Sequence, residues 1–342
     1  MSQSVLLKSI WESPLWLAHD LDPATDGLTL LRMEEADYRA ASFLDQRVIG
    51  PASKTETLPW QSVAEALPAQ ARRDVQCIFH IGNVGSTLIS RLLGELPEVF
   101  ALREPLLLRT FFEMIGSGWD EGEADRRIDT LRALLSRTFR PEQRAIVKAT
   151  SFTSELAARL VPPGSRALFL FASPQHYIEN ILAGENSRTT AEMLAPARLE
   201  RLRSRCEGLA LDLARLGPAH KAALGWACEM TSLEHNAARL PPGAVMWLDF
   251  DEFLNDAVSS FTAVAAHFGH PVSPAAAAAI CGGPLMRRYS KALEYEYSPQ
   301  LRRDILAQAR WRHGAGIREA LGWLNALANR YPALAQAIRR AH

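Results

Sequence analysis

An apolar run from Val75 to Ile81 stops at Gly82 and Gly85, and a helical pattern starts at once. Leu88, Ile89, Leu92 and Leu93 fall on the apolar side of that pattern, with Ser90 and Arg91 between them. Strand, Gly-containing turn, Ser86-Thr87 and helix together predict a loop that cradles an anion. Glycine lets the backbone come close to a ligand. The free N–H groups and dipole of a helix N-terminus favour negative charge. Ser86 and Thr87 add hydroxyl donors. The Lys that precedes Ser/Thr in the GxxxxGK[ST] nucleotide loop is missing. The plainer alternative is a strand-to-helix turn in which Ser86 caps the helix.

The pattern after Asp74 alternates. Strands are predicted over Val75–Ile81, Val99–Leu102, Ala145–Ala149, Ala167–Phe171 and Ala244–Leu248. Helices are predicted over Ser86–Leu96, about Ala124–Thr138, after Pro174, over Ala191–Leu216 and Ala219–Leu240, and over the short Pro274–Ile280. Alternation of this kind predicts an α/β fold in three layers, with a parallel central sheet and helix-rich insertions. Ligands in such sheets bind beyond the carboxyl ends of the strands. Gly82–Thr87, Arg103–Glu104, Lys148–Ser151 and Ala172–Gln175 are therefore expected to converge. Residues 1–73 read as an N-terminal extension packing on the core through Trp11, Leu15, Trp16 and Leu17. Pro51, Pro59 and Pro68 punctuate a linker-like stretch there. Residues 74–342 read as the α/β domain, with a helical insertion about 191–240 and a helical C-terminus.

Of the 342 residues, 48% are hydrophobic and 22% charged, as in globular proteins. Net charge is formally zero, so no global field draws the chain to nucleic acid or to an anionic membrane. Any anion site must be local. The four cysteines form no CxxC pair, and a reduced, cytoplasmic setting is expected. Lys8, Glu12 and Asp20 interrupt the apolar core that a signal peptide needs. No run approaches the ~18 apolar residues of a membrane span. His235, His267, His270 and His313 show no HExxH or other metal spacing, and no metal site is expected. GxSxG is absent.

The stretch Phe79-His-Ile-Gly-Asn-Val-Gly-Ser-Thr-Leu-Ile-Ser-Arg-Leu-Leu, with Pro97-Glu-Val99 and Arg103-Glu-Pro105 behind it, resembles the P-loop sulfotransferase family, its bacterial members in particular. Ala145-Ile-Val-Lys148, Leu168-Phe-Leu-Phe-Ala-Ser-Pro174, Val245–Leu254 and Arg288-Tyr-Ser-Lys291 resemble later elements of that family, so the likeness covers about 75–300. It implies transfer of a sulfuryl group from PAPS (3′-phosphoadenosine 5′-phosphosulfate) to a hydroxyl or amine of a small molecule or peptide, without a metal. It implies that Gly82, Asn83, Val84, Gly85, Ser86, Thr87 and Leu88 hold the 5′-phosphosulfate. Ser173, Asn180, Arg188, Arg288 and Lys291 would hold the rest of the cofactor. Lys148 would assist the leaving group, and Glu104 would act as base, as a Glu after the second strand does in some branches.

Four positions depart from the family pattern. Asn83 stands where the loop carries Lys or Arg, Ala172 where Arg precedes Asn-Pro, Asn180 where a Ser is usual, and Thr150 where many members have a His base. His80, Arg103, Arg188, Arg287, Arg288 and Lys291 are the candidates to restore positive charge. Two other readings stay open on the sequence: a non-catalytic or divergent P-loop protein binding another nucleotide or a partner, and an ATP-dependent kinase-like enzyme. The acceptor and the oligomeric state have no sequence signal.

Overall fold

The computed structural model describes residues 2–342. Its central sheet has five strands: β4 Gln76–His80, β5 Val99–Arg103, β6 Arg144–Lys148, β7 Ala167–Phe171 and β8 Val245–Asp249. They lie in the order β5-β6-β4-β7-β8, and every pairing is parallel. All five residues of β5 and of β7 are buried. Side chains alternate between faces along a strand, so burial without alternation means that both faces are covered. The chain leaves β4 toward β5 and β6 on one side, then crosses to β7 and β8 on the other. The strand order thus reverses at β4, and its carboxyl end is the switch point where such sheets bind ligands. The fold is α/β in three layers with a parallel central sheet, as the alternation predicts. No helix among the described residues is long and apolar enough to cross a membrane.

Residues 2–73 form more regular structure than their sequence suggests. Strands β1 Trp16–Asp22, β2 Gly27–Arg32 and β3 Thr55–Pro59 form an antiparallel sheet in that order. The supposed linker holds β3 and the helix Trp60–Glu65, which starts directly after Pro59. A bulge between Ala18 and Asp20 breaks the register of β1 and hides the period of two that marks a strand. Core arginines fix this segment. Arg137 donates to the carbonyls of Leu134, Ile10 and Trp16 at 2.8, 2.9 and 3.0 Å. Arg103 donates to the carbonyls of Ala41 and Arg39 at 2.8 and 3.1 Å, and also to that of Tyr38. Buried carbonyls outside regular structure need donors, and a guanidinium offers five.

Other boundaries also move. The helix expected about Ala124–Thr138 is preceded by an unforeseen one, Leu106–Ser117, and itself runs Glu121–Ser136. The two long helices are Glu185–Arg203 and Pro218–Ala237, separated by irregular chain that contains Gly208 at φ 74°. The helix Pro174–Ala183 ends at Gly184. Asn180 and Arg188 therefore belong to different helices and do not share a face.

Replacing Arg137 by Met removes the donor from the carbonyls of Leu134, Ile10 and Trp16, and from that of Ser13 at 3.4 Å, while keeping most of the side-chain volume. The variant is expected to lose about 2–4 kcal/mol of stability, read as a lower denaturant midpoint. Proteolysis should then begin within residues 2–60.

Candidate active site at the carboxyl end of the parallel sheet

The loop after β4 takes its shape from three residues in the left-handed region: Gly82 at φ 88°, Asn83 at 55° and Gly85 at 66°. Glycine adopts this region freely, and Asn is among the side chains that tolerate it. A Cβ at Gly85 would stand 1.9 Å from the Phe250 ring, so Gly is required there for space as well as for φ. The Gly82 N–H donates to His80 Nδ1 at 3.0 Å, and His80 Nε2 contacts the Ala149 carbonyl at 2.9 Å. A carbonyl only accepts, so Nε2 carries the proton and the ring is neutral. Burial, then the charges of Lys148 and Lys291, push His80 well below its ordinary range. It brings no positive charge to the loop. Asn180 Nδ2 donates to the Asn83 carbonyl at 2.9 Å and pins the turn to the helix Pro174–Ala183.

The helix Ser86–Leu93 has no side-chain cap; Gly85 sits at the cap position. Among the described residues, the backbone N–H groups of Asn83 through Leu88 meet no acceptor in the chain, and the first intrahelical bond runs from Ile89 to the Gly85 carbonyl. Four such orphans are normal at a helix start; here the loop adds two. Thr87 is 1% exposed, and its Oγ1 has no hydrogen-bond partner. A buried hydroxyl without a partner costs free energy. An oxyanion on the loop would satisfy it together with the amides.

The loop opens on a cleft of about 360 Å³. The helix Ser86–Leu93 and Asn83 form one wall, and Asn180 and Ser187 line another part. Phe250 and the segment Arg288–Tyr297 enclose the rest with the start of the helix Pro299–Ala328. The 288–297 segment is folded back on itself. Tyr289 N donates to the Tyr295 carbonyl at 2.8 Å and Tyr297 N to the Arg287 carbonyl at 3.0 Å. Arg91, on the helix that follows the loop, donates through Nε to the Ser290 carbonyl at 3.0 Å and through Nη2 to Ser42 Oγ at 2.8 Å. It ties this segment and the N-terminal segment to the loop.

Beside the loop, β5 and β6 put Arg103 opposite Lys148. Glu104 then turns at φ 50°, its N–H donating to the Lys148 carbonyl at 2.7 Å. Its carboxylate Oε1 forms a close ion pair with Lys148 Nζ. The Lys148 side chain is fully buried and that of Glu104 is 15% exposed. Burial lowers Lys148 to about 8 despite the attraction of Glu104. Lys291 is also lowered by burial and lies near enough to feel Glu104. Lys148 Nζ stands 5.5 Å from the centre of the Phe43 ring, and Arg47 packs on the same ring at 3.5 Å.

The site residues expected from sequence thus divide. Asn83 through Leu88, Asn180, Arg288 and Lys291 line the cleft; Glu104 and Lys148 pair beside it. Gly82 shapes the turn without lining the cleft. Ser173 does not line it either: its side chain accepts from His176 N at 3.2 Å and caps a helix. Arg188 is exposed on the next helix and also stands outside the lining. Arg103 is spent on backbone carbonyls, and Arg287 is exposed. Ala172 is buried, its carbonyl receiving Trp226 Nε1 at 3.0 Å. Sequence reading missed Phe43, Arg47 and Arg302. They come from segments without a readable period; Phe250 was visible only as part of the β8 element.

No protein-family model matches the chain, and no curated protein matches it. Among solved structures, the chain is similar to the sulfotransferase domain from the Synechococcus PCC 7002 olefin synthase. Identity there is 13% over 71% of this chain and 90% of that one, with a TM-score of 0.41. It is similar to a sulfotransferase from Alicyclobacillus acidocaldarius at 17% identity, over 72% of this chain and 96% of that one, with a TM-score of 0.34. Retinol dehydratase, in complex with androsterone and the inactive cofactor PAP, is similar at 12% identity over 92% and 94%, with a TM-score of 0.34.

The two loop glycines are expected to respond differently. Gly82→Ala meets nothing closer than 3.6 Å and should cost about 1–2 kcal/mol for its positive φ. Gly85→Ala must also displace the Phe250 ring, and should lower the melting temperature further and change the fluorescence or NMR signature around Phe250.

Proposed function

We propose that this chain is a sulfotransferase-like enzyme that takes a sulfuryl group from PAPS to a hydroxyl or amine of a small molecule or peptide, in the cytoplasm. The carrying observation is the Thr87 hydroxyl, buried and unpartnered beneath a loop with six unpaired amides. These groups are preset donors at the place where negative charge grows on a leaving 5′-phosphate, the arrangement that stabilises a transition state most efficiently. Bound PAPS would supply the sulfuryl group. The residues to hold its 5′ end are Gly85 through Leu88, with Asn83 and Val84 completing the loop.

Glu104 is the base in this reading. Its carboxylate is largely shielded, ion-paired and held by a turned backbone. A proton accepted from the acceptor hydroxyl neutralises Glu104 and releases the Lys148 ammonium from its pair. That ammonium is then free to face the charge leaving with the 5′-phosphate. The loop also lacks, between Gly85 and Thr87, the Lys that precedes Ser/Thr in ATP-dependent kinases and reaches the β- and γ-phosphates.

Calorimetric titration with PAP, and incubation with PAPS plus a panel of hydroxyl and amine acceptors, test the reading. Binding below millimolar PAP is expected; none at that level would refute the proposal, and Mg²⁺-dependent ATP binding in its place would favour the kinase-like alternative. Thr87→Val should weaken PAP about tenfold. Glu104→Gln should lower kcat by about 10²–10⁴ with PAP binding retained.

The pH dependence has a defined sign. Lys148 is charged below about 8 and neutral above it, so kcat/KM should fall as pH rises through 8. Lys148→Met should show a lower plateau without that descending arm.

A further inference from the structure

Three cationic side chains line the cleft: Arg288, Lys291 and Arg302. Arg288 is exposed, and Lys291 lies within reach of the Glu104 charge. Arg302 is held differently. Its side chain is 9% exposed. Nε donates to Asp251 Oδ1 at 2.9 Å and Nη2 to Asp251 Oδ2 at 3.4 Å. His176 Nδ1 stands 2.8 Å from the same Oδ2. The guanidinium also lies 5.1 Å from the centre of the Phe250 ring, the ring that fills the space beside Gly85. Among the described residues, Nη1 meets no hydrogen-bond acceptor.

A guanidinium is always charged, and its fork suits a phosphate. Here one side of the fork is locked on a carboxylate, so the free edge is oriented before a ligand arrives. That removes most of the side-chain ordering cost of binding. Of the other positions expected to meet this part of the cofactor, Ala172 has no charge, Asn180 is engaged with the Asn83 carbonyl, and Arg188 is outside the cleft, while Arg288 and Lys291 line it without, among the described residues, a carboxylate bond that fixes them as Asp251 fixes Arg302.

We propose that Arg302 is a specificity-determining residue that takes the second anionic group of the nucleotide, its 3′-phosphate, while the Gly82–Thr87 loop takes the 5′ end. Asp251 is the positioning residue behind it. This assignment rests on the reading of the cleft as a PAPS site. It makes a nucleotide with two separated phosphates the preferred ligand over one with a 5′-phosphate alone.

The test is calorimetric titration of the full chain with PAP and with 5′-AMP, which lacks the 3′-phosphate. The wild-type chain should bind PAP more tightly than AMP. In Arg302→Gln, PAP affinity should fall roughly 10- to 100-fold, to the level of AMP, with AMP affinity unchanged. Arg302→Lys, which keeps the charge and loses the fork, should fall between, and it carries the comparison if Arg302→Gln does not fold. An Arg302 variant that weakens both nucleotides equally, or leaves the PAP-to-AMP ratio unmoved, overturns the assignment alone. A wild-type chain that binds neither nucleotide overturns the PAPS reading and this assignment with it.

Discussion

The contact between Gly85 and the Phe250 ring is the point on which the site depends. The ring occupies the volume that any other side chain at position 85 would need. Phe250 opens the helix after β8, stacks with Phe253 at 6.2 Å, and is met by Arg302 from the C-terminal helix. Asn180 holds the same loop from another helix through the Asn83 carbonyl. The loop is thus clamped by elements more than 90 residues away in sequence. Its amides are aimed before any ligand is present, and a ligand need not order them. Preorganisation of this kind gives hydrogen-bond donors their value in a binding site.

The central sheet was legible because a parallel strand buried on both faces is a continuous apolar run, and β4 and β7 are such runs. The anion loop was legible because its glycines interrupt one run and a helical period follows. The N-terminal sheet was not. His19 is buried within β1, next to the bulge that ends its alternation. Site residues divide on similar lines. Arg103 and Lys148 end paired strands in register and Glu104 follows Arg103 directly, so strand assignment alone brings Glu104 close to Lys148. Ser173 misled because a Ser before Pro reads equally as a phosphate donor and as a helix cap, and the cap is what forms. Arg302, Phe43 and Arg47 had no local signal. Their meaning arises only when distant segments fold onto the loop.

Counting cations near the loop in sequence overstates the charge available there. Arg91, Arg103 and Arg137 are turned inward and satisfy carbonyls of the N-terminal segment, Arg91 those of Arg39 and Ala40. Burial lowers the pKa of all three. These side chains act as donors that close a gap in backbone pairing, and their charge is a cost of that role. His80 is similarly used to shape the turn and stays neutral. A chain with formal net charge zero can still place charge locally. Here it does so at Lys148, Lys291 and Arg302.

Two of these cations are matched to carboxylates, Lys148 to Glu104 and Arg302 to Asp251, and the pairs differ in a way that suits different tasks. Asp251 has two partners: burial pushes its pKa up, but the bonds to His176 and Arg302 together outweigh it and hold it down to about 2. It keeps its charge across the range in which a protein functions, so Arg302 stays fixed. Glu104 has one strong partner and a side chain that remains partly open. Loss of the Glu104 charge would cancel the attraction that holds Lys148, whereas Asp251 keeps its charge. One pair therefore suits permanent positioning. The other, in the proposed reaction, would couple the gain of a proton to the release of a cation, the pairing of events that transfer to a hydroxyl acceptor demands.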